Sequence, residues 1–167
     1  MTATAREGTT VSMGDDCRVA VSRRIGADPA TIFEILADPK KHTELDGSGM
    51  LRGALTDTVV SGVGDVFVLK MYFDPLGGDY EMANHVVDYE QNRRIVWQPQ
   101  RNDIDQPSWR QLWGYELTPD GDATLVTETF DGSRWPEEDK ADLDNGKIWI
   151  EAMTKTLERL DEMATSA

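Results

Sequence analysis

The sequence predicts an α+β fold: an antiparallel sheet of about seven strands, two short helices after the first strand, and a long C-terminal helix laid against the sheet. Three observations carry this. Strand-type alternation of apolar and polar residues recurs between residues 17 and 131. Two Asp-Pro pairs, Asp28-Pro29 and Asp38-Pro39, follow the first strand, each setting a capping carboxylate before a proline at the first helical position. Trp149, Met153, Leu157, Leu160 and Met163 then recur at helical spacing, a stripe that must be buried against something large and apolar. Helices gathered on one side of an antiparallel sheet define the class.

The elements follow in order. Residues 1–15 are small and polar and read as a mobile tail, leaving 16–167 as a single domain. In 17–25, Cys17, Val19, Val21 and Ile25 share one parity, a strand with one buried face; Arg23 breaks it near the end. The helix after Pro29 has Ile32, Phe33, Ile35 and Leu36 as its apolar face, and the helix after Pro39 ends at the turn Asp46-Gly47-Ser48-Gly49. Residues 51–56 and 58–61 are short strand candidates. Stronger ones are 65–73, 80–89, 93–97, 109–117 and 124–131, with a loop over 98–108 and a hairpin turn at Pro119-Asp120-Gly121-Asp122. The terminal helix is expected from about Leu143 to Ala164, with Pro136-Glu137-Glu138-Asp139 opening a separate helical turn before Gly146.

Composition excludes several functions. Seventeen Lys and Arg against 31 Asp and Glu give a net charge of −14. Phosphate backbones and anionic membranes both attract basic patches, so neither nucleic acid nor membrane is an expected partner. No apolar run approaches the roughly 18 residues of a spanning helix, and residues 1–16 lack the apolar core of a signal peptide. One cysteine excludes an internal disulfide, which fits a reducing compartment. The expected location is cytoplasmic. With two His and one Cys, no His/Cys zinc site is expected, and no Gly-rich phosphate loop or GxSxG elbow occurs. No cofactor is implied. Monomer and homodimer both stay open.

The order of elements resembles the helix-grip fold of the START-related, birch-pollen-allergen-like (SRPBCC) superfamily. The stretches Ile25-Gly26-Ala27-Asp28-Pro29-Ala30-Thr31-Ile32-Phe33 and Leu36-Ala37-Asp38-Pro39-Lys40-Lys41-His42 are similar to the opening of its bacterial polyketide cyclase/dehydrase-like members. So are Arg94-Ile95-Val96-Trp97, Gly114-Tyr115-Glu116-Leu117-Thr118-Pro119 and Thr156-Leu157-Glu158-Arg159-Leu160. The resemblance implies a curved sheet gripping the terminal helix over an apolar cavity. It also implies binding of a small hydrophobic molecule, polyketide- or lipid-like, and in some members cofactor-free cyclase or dehydratase chemistry. The alternatives are a non-catalytic carrier or sensor, or a protein–protein module related to chaperone activators.

Strand parity then names the candidate lining. Phe67, Leu69, Met71 and Phe73 face in from one strand, and Tyr80, Met82, Asn84 and Val86 from the next. Ile95 and Trp97 follow, then Gln111, Trp113, Tyr115 and Leu117. On the last strand the inward set is Val126, Glu128 and Phe130, because Leu117 and Val126 then flank one hairpin on one face. Trp149 and Met153 complete the lining from the helix. A carboxylate among aromatics has its pKa raised by desolvation, so Glu128, with Tyr115, is the candidate acid/base pair. His42 and Asp46, four apart, can share a helical face, either as a dyad at the cavity mouth or as a surface pair.

Overall fold

The computed structural model describes residues 8–101 and 110–166, together with the backbone of a strand at Thr2–Arg6. Nine strands form one antiparallel sheet: β1 (Thr2–Arg6), β2 (Thr9–Met13), β3 (Arg18–Ile25), β4 (Leu51–Ala54), β5 (Val66–Phe73), β6 (Gly78–Glu90), β7 (Arg94–Arg101), β8 (Leu112–Asp120) and β9 (Ala123–Asp131). Their order is β1-β2-β3-β9-β8-β7-β6-β5-β4. Helices α1 (Pro29–Leu36) and α2 (Pro39–Leu45) follow β3, and α3 (Glu137–Lys140) and α4 (Ile150–Thr165) close the chain. The α+β class and the helix-grip arrangement stand, with two strands more than the sequence suggested.

Those two strands correct the expected tail. β2 pairs along β3, with Val11 opposite Val21 and Met13 opposite Val19. Thr9 and Val11 are buried while Thr10 and Ser12 are exposed, a half-buried alternation hidden in the sequence by small polar residues. Arg23, the misfit in its strand, explains part of this packing. Its Nε donates to Asp161 of α4 at 2.8 Å and its guanidinium reaches the Thr9 hydroxyl at 3.2 Å, tying three elements together.

Both Asp-Pro helices begin as expected. The Asp28 carboxylate accepts from the Thr31 amide at 2.8 Å and Asp38 from the Lys40 amide at 3.1 Å, satisfying donors that a helix start leaves open. Residues 58–61 form no strand; Val60 instead docks its amide on the Ala37 carbonyl at 2.8 Å. The expected loop over 98–108 is also shortened, because residues 98–101 extend β7. Its remainder, with Trp109 as a strand start, lies outside the described residues.

The terminal helix starts later than its stripe suggested. Residues 144–149 form a 3-10 segment broken by Asn145 (φ 55°) and Gly146 (φ 90°), both in the left-handed region that interrupts a helix. From Ile150, α4 runs 16 residues, roughly 24 Å at 1.5 Å per residue. Met153, Leu157 and Leu160 are its buried stripe, set against β3 and β9, with α1 and α2 alongside. Gly47, between α2 and β4, touches α4 so closely that a Cβ there would lie 2.4 Å from the Ala152 carbonyl oxygen.

One irregularity in the sheet decides which residues face α4. β6 pairs Val86 with Trp97 and Asp88 with Val96, leaving Val87 as a bulge. Tyr80, Met82, Asn84 and Val86 therefore face in before it, and Tyr89 after it, where its ring packs edge-on to Phe33 of α1 at 5.5 Å.

Candidate ligand cavity

Between the sheet and α4 lies a cavity of about 380 Å³, within the roughly 300–1,000 Å³ usual for small-molecule sites. β5 contributes Leu69, Met71 and Phe73; β6 contributes Tyr80, Met82 and Asn84; β7 contributes Trp97. Trp113 and Tyr115 of β8 and Glu128 of β9 form the floor, with Gln111 just before β8, while Trp149 and Met153 close it from the helix side. Phe67 is corrected: it is fully buried but stands behind the wall, edge-on to His42 (5.4 Å) and to Trp97 (5.6 Å). Phe73 and Ile148, both exposed, mark the mouth.

The floor follows from strand register. Leu117 is opposite Val126, so Tyr115 is opposite Glu128 and Trp113 opposite Phe130. Trp113 packs on Phe130 at 4.8 Å and edge-on to Trp149 at 5.5 Å. Trp97 lies 5.9 Å from Tyr115. These separations are those of favourable aromatic pairs.

Most polar groups of the wall are committed to the protein. Asn84 donates to the carbonyls of Phe67 (3.2 Å) and Met82 (3.3 Å). Gln111 accepts from the Trp135 indole at 3.2 Å. Glu128 differs. Tyr115 stands opposite it across the β8–β9 pair, yet the Glu128 Oε2 is buried with no hydrogen-bond partner among the described residues, as is the Trp149 indole nitrogen. Burial pushes the Glu128 carboxyl well above the usual carboxylate range; the charge of Asp46 adds to this and the Tyr115 hydroxyl opposes it. Burial likewise raises the Tyr115 phenol, followed by the charges of Glu128 and Asp46. An acid kept neutral in this way can donate a proton or a hydrogen bond to whatever fills the cavity.

His42 and Asp46 both line the cavity, but not as a dyad. His42 is buried, and its Nε2 meets the Leu36 carbonyl at 2.8 Å. A carbonyl only accepts, so Nε2 carries the proton. Burial holds the imidazole below its ordinary pKa, favouring the neutral ring. The Asp46 carboxylate instead accepts from the amides of Ser48 and Gly49, each at 3.0 Å, and Leu51 at 3.3 Å.

Several lining residues were beyond sequence reasoning, among them Met50, Leu76, Pro99, Trp135, Leu143 and Ile148. Pro99 sits in β7 beyond its last pair with β8, Trp97 with Trp113, so its missing amide costs that ladder nothing. Most of the others lie in turns and irregular segments, where no periodicity points a side chain anywhere.

Comparison with known proteins places this geometry. Residues 16–164 match the family described as "Polyketide cyclase / dehydrase and lipid transport". The chain is 36% identical over 115 residues to Uncharacterized protein Rv0088 of Mycobacterium tuberculosis, an alignment covering 68% of this chain and 47% of that one. It thus spans about half the length of the curated relatives it matches. Two solved structures share the fold. A protein from Arthrobacter aurescens aligns with TM-score 0.71 at 14% identity, covering 94% of this chain and 91% of that one. Protein Ms6760 from Mycobacterium smegmatis aligns at 0.67 with 18% identity, covering 93% and 96%. No helix among the described residues is long and apolar enough to cross a membrane. A helix-grip sheet, a cavity under its terminal helix and a family match along nearly the whole chain lead to one statement: the chain belongs to the polyketide cyclase/dehydrase and lipid transport family of the SRPBCC superfamily.

Proposed function

We propose that the chain binds a small hydrophobic or aromatic molecule in the cavity between sheet and α4. The observation that carries this is a chamber of about 380 Å³ walled by Trp97, Trp113, Trp149, Leu69 and Met153, with one acid, Glu128, keeping at its floor an oxygen unpartnered among the described residues. Apolar walls supply affinity and a few polar groups orient the ligand. The test is titration with the neutral fluorophore N-phenylnaphthylamine, following energy transfer from tryptophan. Saturable one-to-one binding is expected, weakened at least about tenfold in Ala152→Phe, which projects a ring from α4 into the chamber. Absence of saturable binding, with no small molecule carried by the purified protein in native mass spectrometry, would reject the reading.

A second reading, cofactor-free cyclase or dehydratase chemistry, is favoured by the Tyr115–Glu128 pair. In a dehydration, a proton leaves the carbon beside a ketone and the β-hydroxyl departs as water. An aromatic β-hydroxyketone would then give the enone, followed by absorbance, and Glu128→Gln would abolish it. Unchanged turnover in that variant would remove Glu128 from the chemistry.

A further inference from the structure

We propose that the cavity selects a hydrophobic ammonium ion, such as a protonated arylalkylamine, over its neutral and carboxylate analogues. This rests on the ligand-binding reading and narrows it to a charge class.

Among the described residues, the lining holds three carboxylic acids, Asp46, Glu128 and Asp142, and no Lys or Arg. The histidine present, His42, spends its Nε2 proton on the Leu36 carbonyl. Two arginines lie close by but outside the lining: Arg101 stacks at 4.9 Å on the ring of Tyr80, itself a lining residue, and Arg159 donates to the Asp46 backbone carbonyl. An anionic ligand would therefore meet like charge in a low-dielectric chamber, with no Lys or Arg among the described lining residues to offset its desolvation.

Geometry supplies the attraction. The Asp46 carboxylate, in the lining, is held in place by the amides of Ser48, Gly49 and Leu51. Glu128 is only 6% exposed and its Oε2 lacks a partner among the described residues, which leaves an acceptor for an N–H donor once the carboxyl ionises. The rings of Trp97 and Tyr115, and of Trp113 and Trp149, wall the same space. Aromatic faces attract cations, most strongly when desolvated.

Among the described residues, few groups face Glu128. Val21 of β3 and Tyr115 of β8 are its cross-strand partners. His42 and Asp46 come from α2 and the loop after it, and Asp142 stands across the lining. From α4 the lining residues are Ala152, Met153 and Thr156, none titratable. Burial raises the Glu128 pKa, and the ligand would supply a cation that the described lining lacks. The balance is simple: the ammonium keeps its proton, and the Glu128 proton displaced as the pair forms goes to solvent.

The experiment uses three naphthalenes, bearing an aminomethyl, a hydroxymethyl or a carboxylate group, as competitors of N-phenylnaphthylamine on the full chain. The amine should bind at least about tenfold more tightly than the alcohol, the worth of one charged hydrogen bond, and the carboxylate more weakly than both. In Glu128→Gln the amine-to-alcohol affinity ratio should fall about tenfold. If that variant does not fold, calorimetry of the wild type in two buffers of different ionisation enthalpy, at about pH 6, decides: proton release on binding amine and none on binding alcohol. Alcohol and amine binding alike, carboxylate binding best, or no proton released with the amine would each overturn the selection while leaving the cavity a binding site. Failure of all three compounds and of the fluorophore would overturn the underlying reading as well.

Discussion

Tyr115 and Glu128 stand directly opposite each other on β8 and β9, both at least nine-tenths buried. Their burial has a thermodynamic cost that a melting experiment reads. Because the folded Glu128 pKa lies above its unfolded value, the folded state binds this proton more tightly. Stability is then greatest below the unfolded value, about pH 4.3, and declines as pH rises through the folded one. Glu128→Gln removes the decline. The melting temperature of the variant should exceed that of wild type at about pH 8, with the gap closing toward about pH 5. Parallel profiles would contradict the assignment.

His42 works in the opposite direction. Burial lowers its folded pKa, so its contribution is intact above the unfolded value, about 6.5, and is lost as pH falls toward the folded one. In urea unfolding, wild type should lose up to about 1.4 kcal/mol per pH unit over this acid window. His42→Gln, which keeps an N–H for the Leu36 carbonyl, should flatten the slope. An unchanged slope would place the titration elsewhere.

Gly47→Ala tests the contact between the α2–β4 turn and α4. The new Cβ would lie 2.4 Å from the Ala152 carbonyl oxygen and 2.5 Å from the Lys155 Cβ. The turn must move, at a cost of about 1–3 kcal/mol, which would lower the melting temperature by several degrees. A neutral substitution would show that the two elements are less tightly seated.

The Arg23–Asp161 pair, at 2.8 Å and with both side chains about one-fifth exposed, couples β3 to α4. A double-mutant cycle with Arg23→Ala and Asp161→Ala should return about 0.5–1 kcal/mol of interaction, reduced in high salt. Additive losses would show the two residues acting independently.

The sequence revealed the parity of strands with strong alternation. Leu117 and Val126 on either side of a Gly-containing turn were enough to align β8 with β9, and Tyr115 with Glu128 followed. Where the fold departs from local pattern, the sequence was silent. β2 is half-buried through Thr9 and Val11, residues too polar and too few to announce a strand. Phe67 has the parity of Leu69 but not its view of the cavity, because His42 and Trp97 stand over it. Parity gives a face, and only the curvature and the helix packed on it decide which part of that face is hollow. Trp135 and Ile148 reach the cavity from irregular segments, whose direction is set by tertiary contacts alone.

The extra residue at Val87 carries a consequence for how this protein can change. Up to Val86, β6 answers to the cavity; beyond it, through Tyr89, the same strand answers to α1. The bulge works as a phase shifter between two tenants of one ribbon. Mutations at Tyr80, Met82 or Asn84 can reshape the cavity without reaching the α1 contact. Deleting the single residue Val87 would instead set the two halves in one phase, and the strand could serve one tenant only by evicting the other.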